Sequence, residues 1–421
     1  MTSSPRTHTL ANGVRVVCDP APGYGTLALS VVAGRGSREE DATRNGWSHL
    51  LEHMVFKGAG PRSARALVEA IEAEGGQLNA ATGHERTSFQ VRALAGGTPL
   101  AMEIVSDLLL RPTLDVDDLA REKQVIGQEI AEAADTPDDQ VFELAQSAAF
   151  ADQPLGRPIL GKPETLAPVE PAALEAWRAR LYAPDRIVVS AAGAVDEDEL
   201  LKLAEDRLGS AITPPVATSA GAAFTGGVAA ETRRLEQAHL VFLMPGVPVL
   251  DPAYWAFRLF AEALGGGMSS RLFQDVRERL GLAYAIDAYA EAWTDVGALG
   301  VYAGCSAADA GALAEAAAGQ IRDLLRRPQP EELARAKAQL KASLYMSRES
   351  LSSRAEQTAA QILVFGRPVP TVEFADAIDA VTLEDISALE PTVMAGRLAA
   401  GVLGPKAAAA APKRFAAALA G

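Results

Sequence analysis

The chain has 421 residues, 48% apolar and 22% charged, with only two cysteines, which excludes a mostly disordered, collagen-like or disulfide-stapled protein and fits two or about three domains. Its 54 Asp and Glu against 39 Lys and Arg give a net charge of −15. That disfavours binding to nucleic-acid phosphates and favours basic ligands. The apolar run at 240–250 is broken by Pro245 and Pro248, and residues 1–8 hold no apolar signal core. No membrane insertion is expected, and the predicted location is the cytoplasm.

In chain order, β-type runs at 14–17 and 27–32 come first. A helix is predicted around Trp47-Ser-His49-Leu-Leu-Glu52-His53-Met-Val-Phe56, with Asn45 or Ser48 available as its cap. An extended pair follows: 77–81, after the Gly75-Gly76 break, and the alternating 87–92. Long helices come next, including 116–134, then an apolar strand at 187–192. The small, polar, breaker-rich stretch 213–227 reads as a tether. Beyond it the order recurs: a strand at 240–244, a helix-like stretch, and a glycine turn at 265–267 before a helix over 269–280. An extended pair, long helices, a strand at 398–403 and a closing helix complete the second round.

Short sequence matches support that recurrence. Ala120-Arg-Glu-Lys-Gln-Val-Ile-Gly-Gln-Glu129 aligns with Ala334-Arg-Ala-Lys-Ala-Gln-Leu-Lys-Ala-Ser343, and Gly156-Arg-Pro158 with Gly366-Arg-Pro368. The expectation is an α+β fold of two homologous α/β rolls, at 1–210 and 231–421, joined by a linker at 211–230. Each would be a mainly antiparallel sheet with helices on one face. Ala336 stands where the first copy has Glu122 and Ser343 where it has Glu129, so chemistry belongs to the first half.

The five histidines are His8, His49, His53, His84 and His239. On a helix, His49 and His53 lie one turn apart on one face with Glu52 beside them. Two imidazoles so spaced can share one zinc ion, and Glu52 is placed to move a proton between water and a leaving amine. This is the inverted form of the His-Glu-x-x-His order. Spacing alone leaves the third ligand open among His84, Glu122, Glu129 and other acids; Glu122 and Glu129 share a helix face two turns apart.

His49-Leu-Leu-Glu-His53-Met-Val-Phe-Lys-Gly58, Gly75-Gly-Gln-Leu-Asn79-Ala80, Arg121-Glu-Lys-Gln-Val-Ile-Gly-Gln-Glu129-Ile130 and Gly281-Leu-Ala-Tyr284 together resemble the pitrilysin-type zinc metallopeptidases. The similarity is greatest to the catalytic subunit of mitochondrial processing peptidase and its bacterial relatives, and it runs through nearly the whole chain. It implies one zinc ion per chain on His49, His53 and Glu129, with Glu52 as general base and Glu122 as a supporting carboxylate. Asn79 and Ala80 would lie on an edge strand that takes peptide by strand addition. Arg277 would hold a substrate carbonyl, and Tyr284 would stabilise the tetrahedral intermediate. Asp139 and Glu143 match acids that hold a substrate arginine, with helix capping as the rival role for the aspartates of the 135–139 segment.

The resemblance implies an endopeptidase that closes on extended peptides and works as a dimer. A homodimer is expected, because this chain holds both the zinc motif and the Arg277/Tyr284 pair; a heterodimer with a related subunit stays open. The rival function is a non-catalytic structural subunit of such a complex.

Overall fold

In the computed structural model, which describes residues 5–214 and 221–421, the apolar runs 27–32 and 187–192 become the centre of a six-stranded sheet. Its strands are β1 (Arg6–Thr9), β2 (Arg15–Pro20), β3 (Thr26–Ala33), β6 (Gln77–Thr82), β7 (Thr87–Leu94) and β8 (Ile187–Gly193), in the order β1-β2-β8-β3-β7-β6. A small hairpin of β4 (Gly58–Ala59) and β5 (Arg62–Ser63) stands apart. Only β2 and β8 run parallel. The second sheet has β9 (Gly227–Thr232), β10 (Gln237–Gly246), β11 (Ala285–Ala292), β12 (Gly297–Ser306) and β13 (Ala399–Gly404). Its order is β9-β13-β10-β12-β11, with only β9 and β13 parallel. Apart from β1, the two sheets have the same topology, as the repeat predicts.

The repeat extends to single hydrogen bonds. Lys123 Nζ donates to the carbonyls of Ala167 and Val169 at 2.9 and 2.6 Å. Its counterpart Lys337 donates to those of Asp379 and Val381 at the same two distances.

The described residues form two compact units, and these are not the halves 1–210 and 231–421 taken whole. The first comprises 5–130, 158–214 and 345–370; the second comprises 131–157, 221–344 and 371–421. Residues 131–157 and 345–370 occupy equivalent places in the repeat, so the halves exchange matching segments. In the first unit, Ala359 and Ile362 of the Leu351–Phe365 helix pack on Val17, Val32 and Val188, on the sheet face opposite the main core. Asp19 of β2 binds that segment through Arg348 (3.1 Å) and Arg354 (2.6 Å). In the second, Val141 and Ala145 of the Pro137–Ala149 helix pack on Val241, Leu243 and Leu403.

Each sheet is therefore covered on both faces, where the sequence led us to expect helices on one. That is why β3 and β8 are buried almost end to end instead of alternating.

Residues 215–220 of the expected tether lie outside the described residues. The part beyond them is anchored: Phe224 is buried, and Thr225 N–H donates to Ala149 O at 2.8 Å. No helix among the described residues is long and apolar enough to cross a membrane.

Candidate metal centre

The Trp47–Val55 helix forms because Leu50, Leu51, Met54 and Val55 lie in the core of the first unit. Neither expected cap acts as one. Asn45 Nδ2 donates to Pro158 O at 2.8 Å, and Ser48 Oγ accepts from Trp177 Nε1 at 3.3 Å. The helix instead starts at Gly46, whose φ of 91° and contact with Gly161 leave no room for a side chain. The buried Glu40 carboxylate accepts the N–H groups of Gly46 and Ser48, both at 2.8 Å. Burial pushes that carboxyl up to about 7 against the pull of these bonds.

The opposite face of this helix carries His49 and His53, ring centroids 4.6 Å apart. Glu129, from the Val116–Asp135 helix, brings its Oε2 to 3.9 Å from His49 Nε2 and 3.6 Å from His53 Nε2. These separations are too long for hydrogen bonds. Glu129 Oε2 is buried without a hydrogen-bond partner, and so is His49 Nδ1. Burial, with His53 alongside, lowers the His49 ring to about 4 and keeps it neutral, as a ligand must be. Nitrogen and oxygen atoms bound at ~2.0–2.1 Å to one tetrahedral zinc lie about 3.3 Å apart. The three donors, all within 4.8 Å of one another, fit such an ion after a small contraction.

The choice left open by spacing resolves into three places. Glu129 faces the imidazoles. Glu122 sits behind them, buried, with Oε2 at 3.0 Å from His53 Nδ1 and Oε1 at 2.7 Å from Lys57 Nζ. In the tautomer whose Nδ1–H donates a hydrogen bond to Glu122, the Nε2 lone pair is free to face Glu129. His84 is elsewhere, its Nδ1 bonded to Ser37 Oγ at 3.0 Å.

Glu52 lies beside the donor set. Burial raises its carboxyl above the usual range, partly offset by a hydrogen bond from Thr82 Oγ1 at 2.5 Å. Asn79 and Ala80 lie on β6, the outermost strand of its sheet, paired only with β7 and alternating in exposure. Asn79 also lines a cleft of ≈ 830 Å³ with Phe56, Leu67 and Ile71.

Four predicted residues belong to the second unit. Asp139 and Glu143 lie on the Pro137–Ala149 helix, which no side chain caps, so the capping role for Asp139 is not found. Arg277 lies on Leu272–Arg279, which is a π-helix where an α-helix was expected; Leu280 N–H reaches back to Asp275 O. Its guanidinium stands 4.6 Å over the Phe273 ring. Tyr284, just before β11, is 75% exposed.

Sequence reading missed Glu40, Lys57 and Thr82. The last two adjoin predicted elements and were within reach of inspection. Glu40 carries no spacing signal.

The insulinase (peptidase family M16) model matches residues 15–163, and the peptidase M16 inactive-domain model matches 168–340. The chain belongs to the pitrilysin-type peptidase family M16. An uncharacterized zinc protease of Mycobacterium bovis is 35% identical to this M16 chain, across 96% of it and 93% of that protein. The uncharacterized zinc protease YmxG of Bacillus subtilis is 35% identical across 95% and 98%. Two solved structures share the M16 fold at 20% and 18% identity: a peptidase M16 inactive domain from Pseudomonas fluorescens (TM-score 0.87, covering 96% of this chain and 98% of that one) and a protease from Helicobacter pylori (0.86, covering 96% and 100%).

Proposed function

We propose that this M16 chain is a zinc endopeptidase that hydrolyses extended peptides, with one zinc on His49, His53 and Glu129. The observation that carries the reading is the unpartnered, buried Glu129 Oε2 facing two imidazole nitrogens at 3.6 and 3.9 Å. The names of the relatives support zinc as the ion. Zinc bound there supplies Lewis acidity toward the scissile carbonyl and acidifies the attacking water.

The remaining work falls to the chain. Glu52 takes a proton from the attacking water and returns it to the leaving amine, for which a carboxyl raised by burial is suited. The open edge of β6 binds the peptide main chain at Asn79 and Ala80. Glu122 holds His53 in orientation. Tyr284 donates a hydrogen bond to the tetrahedral oxygen and Arg277 holds a substrate carbonyl; the exposure of Tyr284 supports that role. A homodimer completes the enclosure around the peptide.

Metal analysis with cleavage of a quenched fluorescent peptide library tests this reading. Wild type is expected to hold about one zinc per chain, to lose activity on chelation and to regain it with zinc. The cleaving species is expected to have the mass of two 44.0 kDa chains. Tyr284→Phe and Arg277→Ala are expected to keep the metal and lose turnover. A zinc-free protein prepared without chelators defeats the central assignment.

Asp139 and Glu143 favour substrates containing arginine. Reversing both charges should lower cleavage of arginine-containing peptides relative to arginine-free ones. Unchanged selectivity removes this part of the proposal.

A further inference from the structure

We infer that Thr82 is the positioning residue of the general base, fixing the Glu52 carboxylate to the end of the strand that receives the peptide. The inference rests on the reading of Glu52 given above. Thr82 Oγ1 donates to Glu52 Oε2, and it is the last residue of β6. Glutamate has three rotatable side-chain bonds, so a base on a helix needs something stiffer than itself to hold its oxygens. Threonine is β-branched and restricted about its first side-chain bond.

The strand that carries Thr82 is itself fixed. Leu78, Ala80 and Thr82 share one face of β6, and Leu78 and Ala80 pack against the main core. Thr82 pairs with Thr87 across the β6–β7 hairpin. The loop beyond is clamped from another segment: Ser37 N–H donates to Gly83 O at 3.0 Å and Arg38 N–H to His84 O at 2.8 Å. Gly36 has no room there for a side chain. Strand, loop and hydroxyl thus form a rigid reference for the base. A peptide added along β6 is aligned with the same strand that aligns Glu52, so bound substrate and base share one frame.

Thr82→Val keeps the shape and β-propensity of the residue while removing the hydroxyl; Thr82→Ser keeps the hydroxyl. Thr82→Val is expected to lower kcat about 10- to 100-fold, with KM and zinc affinity within about twofold of wild type. Thr82→Ser is expected to restore most of the lost kcat. In a Glu52→Gln background, Thr82→Val is expected to cause little further loss, because the two residues act as one unit.

The inference is overturned if Thr82→Val turns over like wild type, or if Thr82→Ser is as slow as Thr82→Val, which would assign the effect to strand packing. Full activity in Glu52→Gln alone removes the base assignment and this inference with it. Loss of Thr82→Val activity through KM alone assigns Thr82 to peptide binding instead and also overturns it.

Discussion

Glu52→Gln is expected to retain zinc at the wild-type stoichiometry while cleaving peptides on the order of a hundred- to ten-thousand-fold more slowly, the range general acid–base catalysis supplies. The substitution is nearly isosteric, and Gln can still accept the Thr82 hydroxyl bond. Glu52 is outside the donor set of His49, His53 and Glu129, so the metal site should survive. What disappears is the ability to accept a proton from water and return it to the amine. Metal analysis beside kcat/KM on one peptide decides the matter. Hydrolysis at the wild-type rate would move the proton-transfer role to another residue.

Removing a donor should have the opposite signature, with metal lost before turnover is measured. His53→Ala is expected to weaken zinc binding on the order of a hundred- to a thousandfold, taking about a quarter of the ~10–16 kcal/mol that full zinc sites provide. The change also takes from Glu122 one of its two partners, leaving it paired with Lys57 alone. Glu122→Ala, which leaves all three donors in place, should cost only about 10- to 100-fold. Competition with a chromophoric chelator gives both affinities. Equal zinc affinity in His53→Ala and wild type would mean that the three donors do not bind the ion together.

Much of this site was legible because its first pieces are local. The spacing of His49, Glu52 and His53 on one helix fixes their common face before any tertiary structure is known, and the repeat around Lys123 and Lys337 signals two units with the same succession of elements. The third donor is a different case. Glu129 meets the histidines only through packing of the Val116–Asp135 helix, and Glu122, equally acidic and on the same face, was indistinguishable from it by spacing. Family resemblance chose between them; in the structure Glu129 Oε2 faces both imidazoles, and Glu122 contacts His53 from its Nδ1 side.

Other features were hidden for the same physical reason: a contact between distant segments leaves no period in either. Glu40 reaches the helix start from outside the helix. The apolar face of the Leu351–Phe365 helix shows in the sequence, but its destination on β3 and β8 does not. The π-helical turn at Leu272–Arg279 has no residue pattern that separates it from an ordinary helix.

The exchanged segments also set a timetable for synthesis. A ribosome that has released residues 5–214 has delivered every strand of the first sheet, yet the helix that covers Val17, Val32 and Val188 is complete only at residue 365. At roughly 5–20 residues per second, that gap leaves an apolar sheet face open for about ten seconds or more. The second sheet has no such delay, because its covering helix, Pro137–Ala149, precedes all of its strands. The nascent chain therefore exposes an uncovered apolar sheet face, an aggregation hazard, in the half that carries His49, Glu52 and His53. Severing the chain within 215–220 should leave two fragments that need each other to fold.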